Sequence, residues 1–272
     1  MKVVIPKRLW RYPMAAERGY SAWIKKYVKS LTGSLKDNIG FIQSFINNNS
    51  RQDDAVDDYR EEMKNAIAAA IAGGIADEVM RRKLERIYSE IDNYNRSQLE
   101  TVYASIGQVP VVRADTSLLR KQYMQRNEML MNDIKDKVIQ GVSYEIDNQV
   151  TSGYDETKLA KAISKIEGVQ CRRADKIAHN EVGNLDGRLC QERQLANGVT
   201  KYQWRTVLDE RVRPWHADRE GKIYSWNDPP WDGHPRQAPF CRCEACPCIP
   251  WDNLLSISNS RRNIVGADII DV

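Results

Sequence analysis

The sequence predicts a mainly α-helical protein, with an elongated helical N-terminal region and a small α+β C-terminal module rich in cysteine and histidine. Three observations predict it. Apolar residues recur every three or four positions through most of residues 15–197. From Val199 the pattern changes to alternation of β-branched and aromatic residues. Four of the six cysteines then crowd into Cys241–Cys248, and the surrounding residues 226–251 hold six prolines.

The chain has 272 residues, 41 basic against 37 acidic, a net charge of +4 and 42% hydrophobic residues. That is enough apolar material for one or two cores. The longest continuous apolar run, the eleven residues Ala66–Ala76, is too short to span a bilayer, which argues against a membrane partner. Lys2, Pro6, Lys7 and Arg8 occupy the place where a secretory signal needs its apolar segment. The expectation is a protein made in the cytoplasm.

Residues 1–30 carry eight Lys/Arg against Glu17, a net +7 that leaves −3 for the remainder. Lys2, Lys7, Arg8, Arg11, Lys25, Lys26 and Lys29 alternate here with Trp10, Tyr12, Tyr20, Trp23 and Tyr27. Such a basic, aromatic segment is a candidate for contact with nucleic acid or with an acidic protein surface. A solvated start to an amphipathic helix is the plainer alternative.

The helical stripe runs Val56, Tyr59, Met63, Ile67, Ile71, Ile75, then Met80, Leu84, Ile87, Ile91 and Tyr94, with a phase slip or break at Gly73–Gly74. Gly107–Pro110 ends that unit, and Asp115-Thr116-Ser117 supplies an N-cap for the next helix. Its stripe is Leu119, Tyr123, Leu130, Ile134, Val138, Val142, Ile146 and Val150. A shorter helix after Gly153 carries Leu159, Ile163 and Ile166 and is expected to stop at Gly168. Another runs from about Arg172 to Ala196 and ends at Asn197-Gly198. Stripes of this length need a neighbouring helix or subunit to cover them.

Val199–Leu208 reads as a strand, and Lys222–Trp226 as a second one. The proline-rich stretch that follows is expected to be irregular and to need another source of order. The domain organisation expected is a basic aromatic segment over 1–30, a helical region over 31–168, a compact module over 169–250 and an extension over 251–272. In that extension Ile264, Val265, Ile269 and Ile270 are available for docking.

His216 and His234 lie just upstream of Cys241, Cys243, Cys246 and Cys248. In a cytoplasmic chain such a cluster points to metal before disulfide, with free thiols as the remaining alternative. Thiolate and imidazole suit Zn2+, whose binding would order a proline-rich segment. The favoured ligands are His216, His234, Cys241 and Cys243, because two imidazoles and two thiolates leave a neutral complex; Cys246 and Cys248 are alternates. Asp209, directly after the strand, can cap a turn and pair with Arg211, or orient a histidine from outside the metal shell.

Residues 172–250 resemble the C-terminal region of the Mu F-type minor head proteins, or head morphogenesis proteins, of tailed bacteriophages. The resemblance is carried in order by Ala178-His179-Asn180-Glu181, by Lys201-Tyr202-Gln203-Trp204-Arg205-Thr206, by Asp209-x-Arg211-x4-His216, by Gly221, by His234-Pro235, and by Cys241-Arg242-Cys243 with Pro247. It implies a non-enzymatic structural protein present in few copies and made in the host bacterial cytoplasm. Such a protein is recruited with the portal, meets capsid or scaffold proteins, and stays in the capsid interior near portal and double-stranded DNA. The implied roles are head morphogenesis and DNA packaging or ejection. Two alternatives stand beside it: a metal-dependent nuclease or phosphoryl-transfer enzyme using Asp209 and His216, and a plain DNA-binding module.

Overall fold

A computed structural model describes residues 2–7, 10–49, 56–72, 76–106, 111–152, 155–251 and 267–272, with side chains of 45–49, 56–61 and 150–152 left aside. The elements are β1 (Lys2–Pro6), α1 (Met14–Asp37), α2 (Ile39–Asn49), α3 (Val56–Ile71), α4 (Asp77–Ser105), α5 (Ser117–Ser152), α6 (Glu156–Ala196), β2 (Lys201–Arg205), α7 (Pro214–Ala217), β3 (Ile223–Ser225), β4 (Glu244–Pro247), β5 (Ile249–Pro250) and β6 (Ala267–Asp271). The protein is mostly helical, with a small sheet-containing C-terminal region, as the periodicity predicts. Two compact units form. One gathers Met1–Glu17, Ile87–Tyr123 and His179–Val272; the other gathers Arg18–Arg86 and Met124–Ala178.

The second unit is helical. Tyr20, Ile24, Tyr27, Val28, Leu31 and Leu35 on α1 are buried, and so are Met63 and Ile67 on α3 and Ile134, Val138, Val142 and Ile146 on α5. The stripe of α5 departs from expectation at one point. Met131 is buried and Leu130 only half-buried, because the row from Tyr123 steps by fours through Asn127. That asparagine is also buried, and its Oδ1 accepts the Tyr20 hydroxyl, which satisfies a polar group inside an apolar stripe. The polar ends are tied by Ser21 and Lys25 to Asp175, the latter at 2.7 Å, and by Thr32 and Lys36 to Glu167.

Gly168 does not stop a helix, contrary to the sequence expectation: α6 runs through it for 41 residues. One interior glycine costs a helix only about 1 kcal/mol, which burial of the apolar row on either side outweighs. The true end is where expected. Gly198 has φ +73, its N–H donates to Leu195 O, and Val199 N–H donates to Gln194 O at 2.9 Å, the paired bonds of a Schellman cap. The Asp115 cap also forms, with its carboxylate accepting Ser117 N–H at 2.9 Å. Gly73–Gly74, Ile75, Gly107–Pro110, Gly153, Ile264 and Val265 lie outside the described residues, as do the side chains of Val56, Tyr59 and Val150.

The first unit holds two antiparallel three-stranded sheets, ordered β5-β1-β6 and β3-β2-β4. Four of these strands, β1, β4, β5 and β6, are not among the two that the sequence predicts. Val3-Val4-Ile5 is a buried central strand rather than part of a solvated basic segment, and β6 pairs with it through Val3↔Ile270 and Val4↔Ile269. The proline-rich stretch does form ladders, in β4 and β5. Both are edge strands, so Pro247 and Pro250 need not donate to a second neighbour.

Candidate metal centre

The centre is built from three short pieces of chain. On β2, alternation puts Tyr202 and Trp204 on one buried face, packed with Trp226, Cys241, Cys243 and Ala245. The single turn of α7 begins with Pro214, whose preset φ suits the first helical position, and presents His216 inward. Cys241 and Cys243 flank Arg242 just before β4, both buried.

His216, Cys241 and Cys243 converge so that one donor atom from each lies within 4.8 Å of the others, a group that can hold a metal ion. His216 Nδ1 is 3.6 Å from Cys241 Sγ and 3.4 Å from Cys243 Sγ. A tetrahedral ion with zinc–sulfur and zinc–imidazole bonds of normal length needs a nitrogen–sulfur separation of about 3.5 Å, so the donor set fits. The other imidazole nitrogen, Nε2, is 2.8 Å from Asp232 Oδ2. Asp232 also accepts from Trp215 Nε1 at 3.0 Å and Arg219 Nη1 at 2.6 Å. The Trp204 ring meets His216 edge-on at 5.1 Å, with the Arg219 guanidinium 4.8 Å over it. Ring orientation is thereby held from two sides.

The electrostatics favour one proton fewer than two thiols require. The hydrogen bond from Cys243 pulls the Cys241 thiol down, with His216 and the Arg236 backbone N–H, 3.3 Å from the sulfur, assisting. As the donor of that bond Cys243 is pushed up. The hydrogen bond to Cys241 raises His216, helped by Asp232. Burial opposes ionisation of Asp232, yet bonds from His216, Arg219 and Trp215 hold its carboxyl below the ordinary range.

Other expected site residues lie elsewhere. His234 is not in the group: its Nδ1 is 2.8 Å from the Tyr202 hydroxyl, its ring packs edge-on against Trp226 at 4.8 Å, and it bonds the Trp226 backbone. An imidazole engaged this way is a core group. Cys246 and Cys248 pack with Val3 and Ile5, where burial pushes both thiols up to about 12. Asp209 does cap a turn through Arg211 N–H at 3.1 Å, but its carboxylate is clamped by Arg242 at 2.6 and 2.7 Å. The carboxylate beside His216 is Asp232, which the sequence reading overlooked; the Trp231-Asp232-Gly233 turn was its only signal.

The helix motif Ala178-His179-Asn180-Glu181 acts on the same loop. Asn180 Oδ1 accepts Phe240 N–H at 2.9 Å, and the His179 ring stacks on Phe240 at 5.8 Å. His179 itself faces Glu17 at 3.0 Å. These contacts hold Phe240 at φ 58, a left-handed conformation that non-glycine residues rarely adopt, immediately before Cys241. On the loop's far side Arg236 is buried against Glu244 at 2.7 Å and Asp186 at 3.3 Å, with Tyr12 beneath its guanidinium.

The N-terminal cations divide differently from the aromatics between them. Trp10, Tyr20, Trp23 and Tyr27 are core residues, so they offer no stacking surface. Lys2, Arg11, Lys26 and Lys29 are exposed, Lys7 pairs with Asp268 at 3.0 Å and Lys25 with Asp175 at 2.7 Å, while Arg8 lies outside the described residues. No described helix is long and apolar enough to cross a membrane.

Residues 132–246 match the family model of the phage Mu protein F like proteins, the family that the C-terminal motifs resemble. The matched region contains all three converging donors and Asp232. An uncharacterized protein of Haemophilus influenzae is 32% identical over 124 residues, 45% of this chain and 28% of that protein, so the chain spans well under half of the relative's length. No solved structure matches.

Proposed function

We propose that the chain is a minor head protein of a tailed bacteriophage, acting in head morphogenesis near the portal and in DNA packaging or ejection, with its C-terminal module stabilised by Zn2+. The observation that carries this reading is the phage Mu F-like match over residues 132–246, which encloses the buried His216–Cys241–Cys243 group. In this reading those three residues hold the ion, Asp232 orients His216, and the Asp209–Arg242 clamp fixes the Cys-Arg-Cys backbone. Bound zinc supplies folding free energy to a segment whose two-residue and four-residue strands hold it weakly.

Portal, capsid or scaffold proteins are the proposed partners, and the exposed Lys2, Arg11, Lys26 and Lys29 are candidate contacts to portal or to double-stranded DNA. With the neighbouring aromatics buried, charge alone supports a DNA contact, so its signature is affinity that falls steeply with salt. The phosphoryl-transfer alternative has little geometric support: both Asp209 oxygens are held by Arg242, and the carboxylate on His216 belongs to Asp232.

The test is quantitative peptide mass spectrometry on assembled particles, measuring copies of this chain against portal and major capsid protein. A small, reproducible number is expected. Absence from the finished particle would overturn the head-protein reading.

A further inference from the structure

Among the described residues three donors converge, which leaves a tetrahedral ion one ligand short, and the surroundings of the group indicate what completes it. A cavity with room for little more than one water-sized group is lined by His216, Cys241 and Cys243 together, and by Arg211, Arg213 and Arg242. Among the described residues no carboxylate lines it. Arg242 is neutralised by Asp209, whereas Arg213 donates to the Pro239 carbonyl and the side chain of Arg211 is 76% exposed with Asp209 only at 3.5 Å. The cavity therefore carries excess positive charge at its mouth. Val207 and Phe240 line it too, both exposed, and Leu208 beside them is 79% exposed. Leu208 and Phe240 both sit at left-handed φ, 53 and 58. Phe240 lines the opening and Leu208 follows the lining Val207 in sequence; backbone strain of this kind is found at ligand clamps and binding sites.

Resting on the zinc reading above, we infer that the fourth ligand is a carboxylate from a partner protein, an Asp or Glu side chain on an acidic segment that docks over Val207, Leu208 and Phe240. The cavity has room for a single oxygen atom beside the three donors, with the rest of a carboxylate left at the mouth among the arginines. Carboxylate oxygen is an established zinc ligand. The arginines supply the complementary charge that steers an acidic segment to this face. Docking of this kind makes the ion part of an interface, which a fully closed four-ligand site cannot do.

The test uses the full chain loaded with Co2+, whose visible d–d bands report the ligands around it. Metal content is measured first; acetate and then a blocked Gly-Glu-Gly tripeptide are titrated in. The expected result is a saturable change of the bands with both probes. Arg211→Ala should weaken it about two- to fivefold, the effect of one exposed charge, and Arg211→Lys should leave it near the starting value. Cobalt that binds with bands unmoved by either carboxylate, or a response of equal affinity in Arg211→Ala, overturns the inference and leaves the zinc reading intact. A response to acetate but not to the tripeptide overturns the protein-partner part. A chain that takes up neither cobalt nor zinc overturns the zinc reading and this inference with it.

Discussion

His216 is held between Asp232, 2.8 Å from its Nε2, and the two sulfurs of Cys241 and Cys243, 3.6 and 3.4 Å from its Nδ1. One imidazole thus joins a buried carboxylate to a pair of thiols, and the ring's two nitrogens have distinct tasks. A carboxylate on the outer nitrogen fixes the tautomer and makes the inner one a better ligand.

Asp232→Asn should therefore weaken metal binding about 10- to 100-fold while keeping the same stoichiometry. Competition against a chelator of known affinity measures this directly. An unchanged affinity would show that Asp232 serves only Trp215 and Arg219.

Replacing a donor differs from replacing a neighbour. Cys241→Ser, Cys243→Ser and His216→Ala should each remove most of the bound zinc and lower the melting temperature. Cys246→Ser should keep the metal, as should His234→Ala, and both should lose stability through the core they pack in. Elemental analysis beside thermal melting separates the two groups. Loss of zinc in His234→Ala with the fold intact would return that histidine to the ligand set.

Gly187 on α6 faces the loop that carries Arg236. A Cβ placed there would lie 3.0 Å from the Pro235 carbonyl oxygen and 3.0 Å from Arg236 Cβ. Gly187→Ala should cost about 1–2 kcal/mol, because overpacking outweighs the gain in helix propensity. Gly183→Ala on the same helix meets nothing closer than Tyr12 Cε2 at 3.9 Å and should stabilise by up to about 1 kcal/mol. Urea denaturation of both variants tests the close approach, and equal effects would refute it.

Burial of His234 lowers its pKa below the usual value of 6.5. The unfolded chain then binds the proton first as pH falls. The stability contributed by the neutral ring is complete above about pH 6.5 and is lost as pH drops toward the folded value. Wild type should lose more stability than His234→Gln between pH 7 and pH 5, as read by denaturant midpoints. Parallel losses in the two proteins would place the acid sensitivity elsewhere.

Local periodicity made the helices legible. The rows Met80, Leu84, Ile87, Ile91 and Ile134, Val138, Val142, Ile146 are buried as their spacing requires, and Asn197-Gly198 ends α6 where the chain needs a left-handed residue. The break expected at Gly168 failed because propensity is a weak local preference that packing overrides. Strands β1, β4, β5 and β6 escaped notice for another reason. Each is five residues or fewer, and its partner lies far along the chain, as Val4 pairs with Ile249. The β-branched runs Val3-Val4-Ile5 and Ile269-Ile270 were the local signals available.

By itself the sequence determined the helical class, the cap at Gly198, the strand core at Tyr202 and Trp204, and the nearness of Cys241 to Cys243, since each depends on residues within a few positions of one another. Only the tertiary structure decided which histidine joins the cysteines, that Asp232 rather than Asp209 stands behind it, and that Arg236 lies buried between Asp186 and Glu244. Those choices depend on side chains that are distant in sequence and brought together by folding. A donor's residue type and spacing cannot reveal whether its ring ends against a sulfur or against a tyrosine hydroxyl.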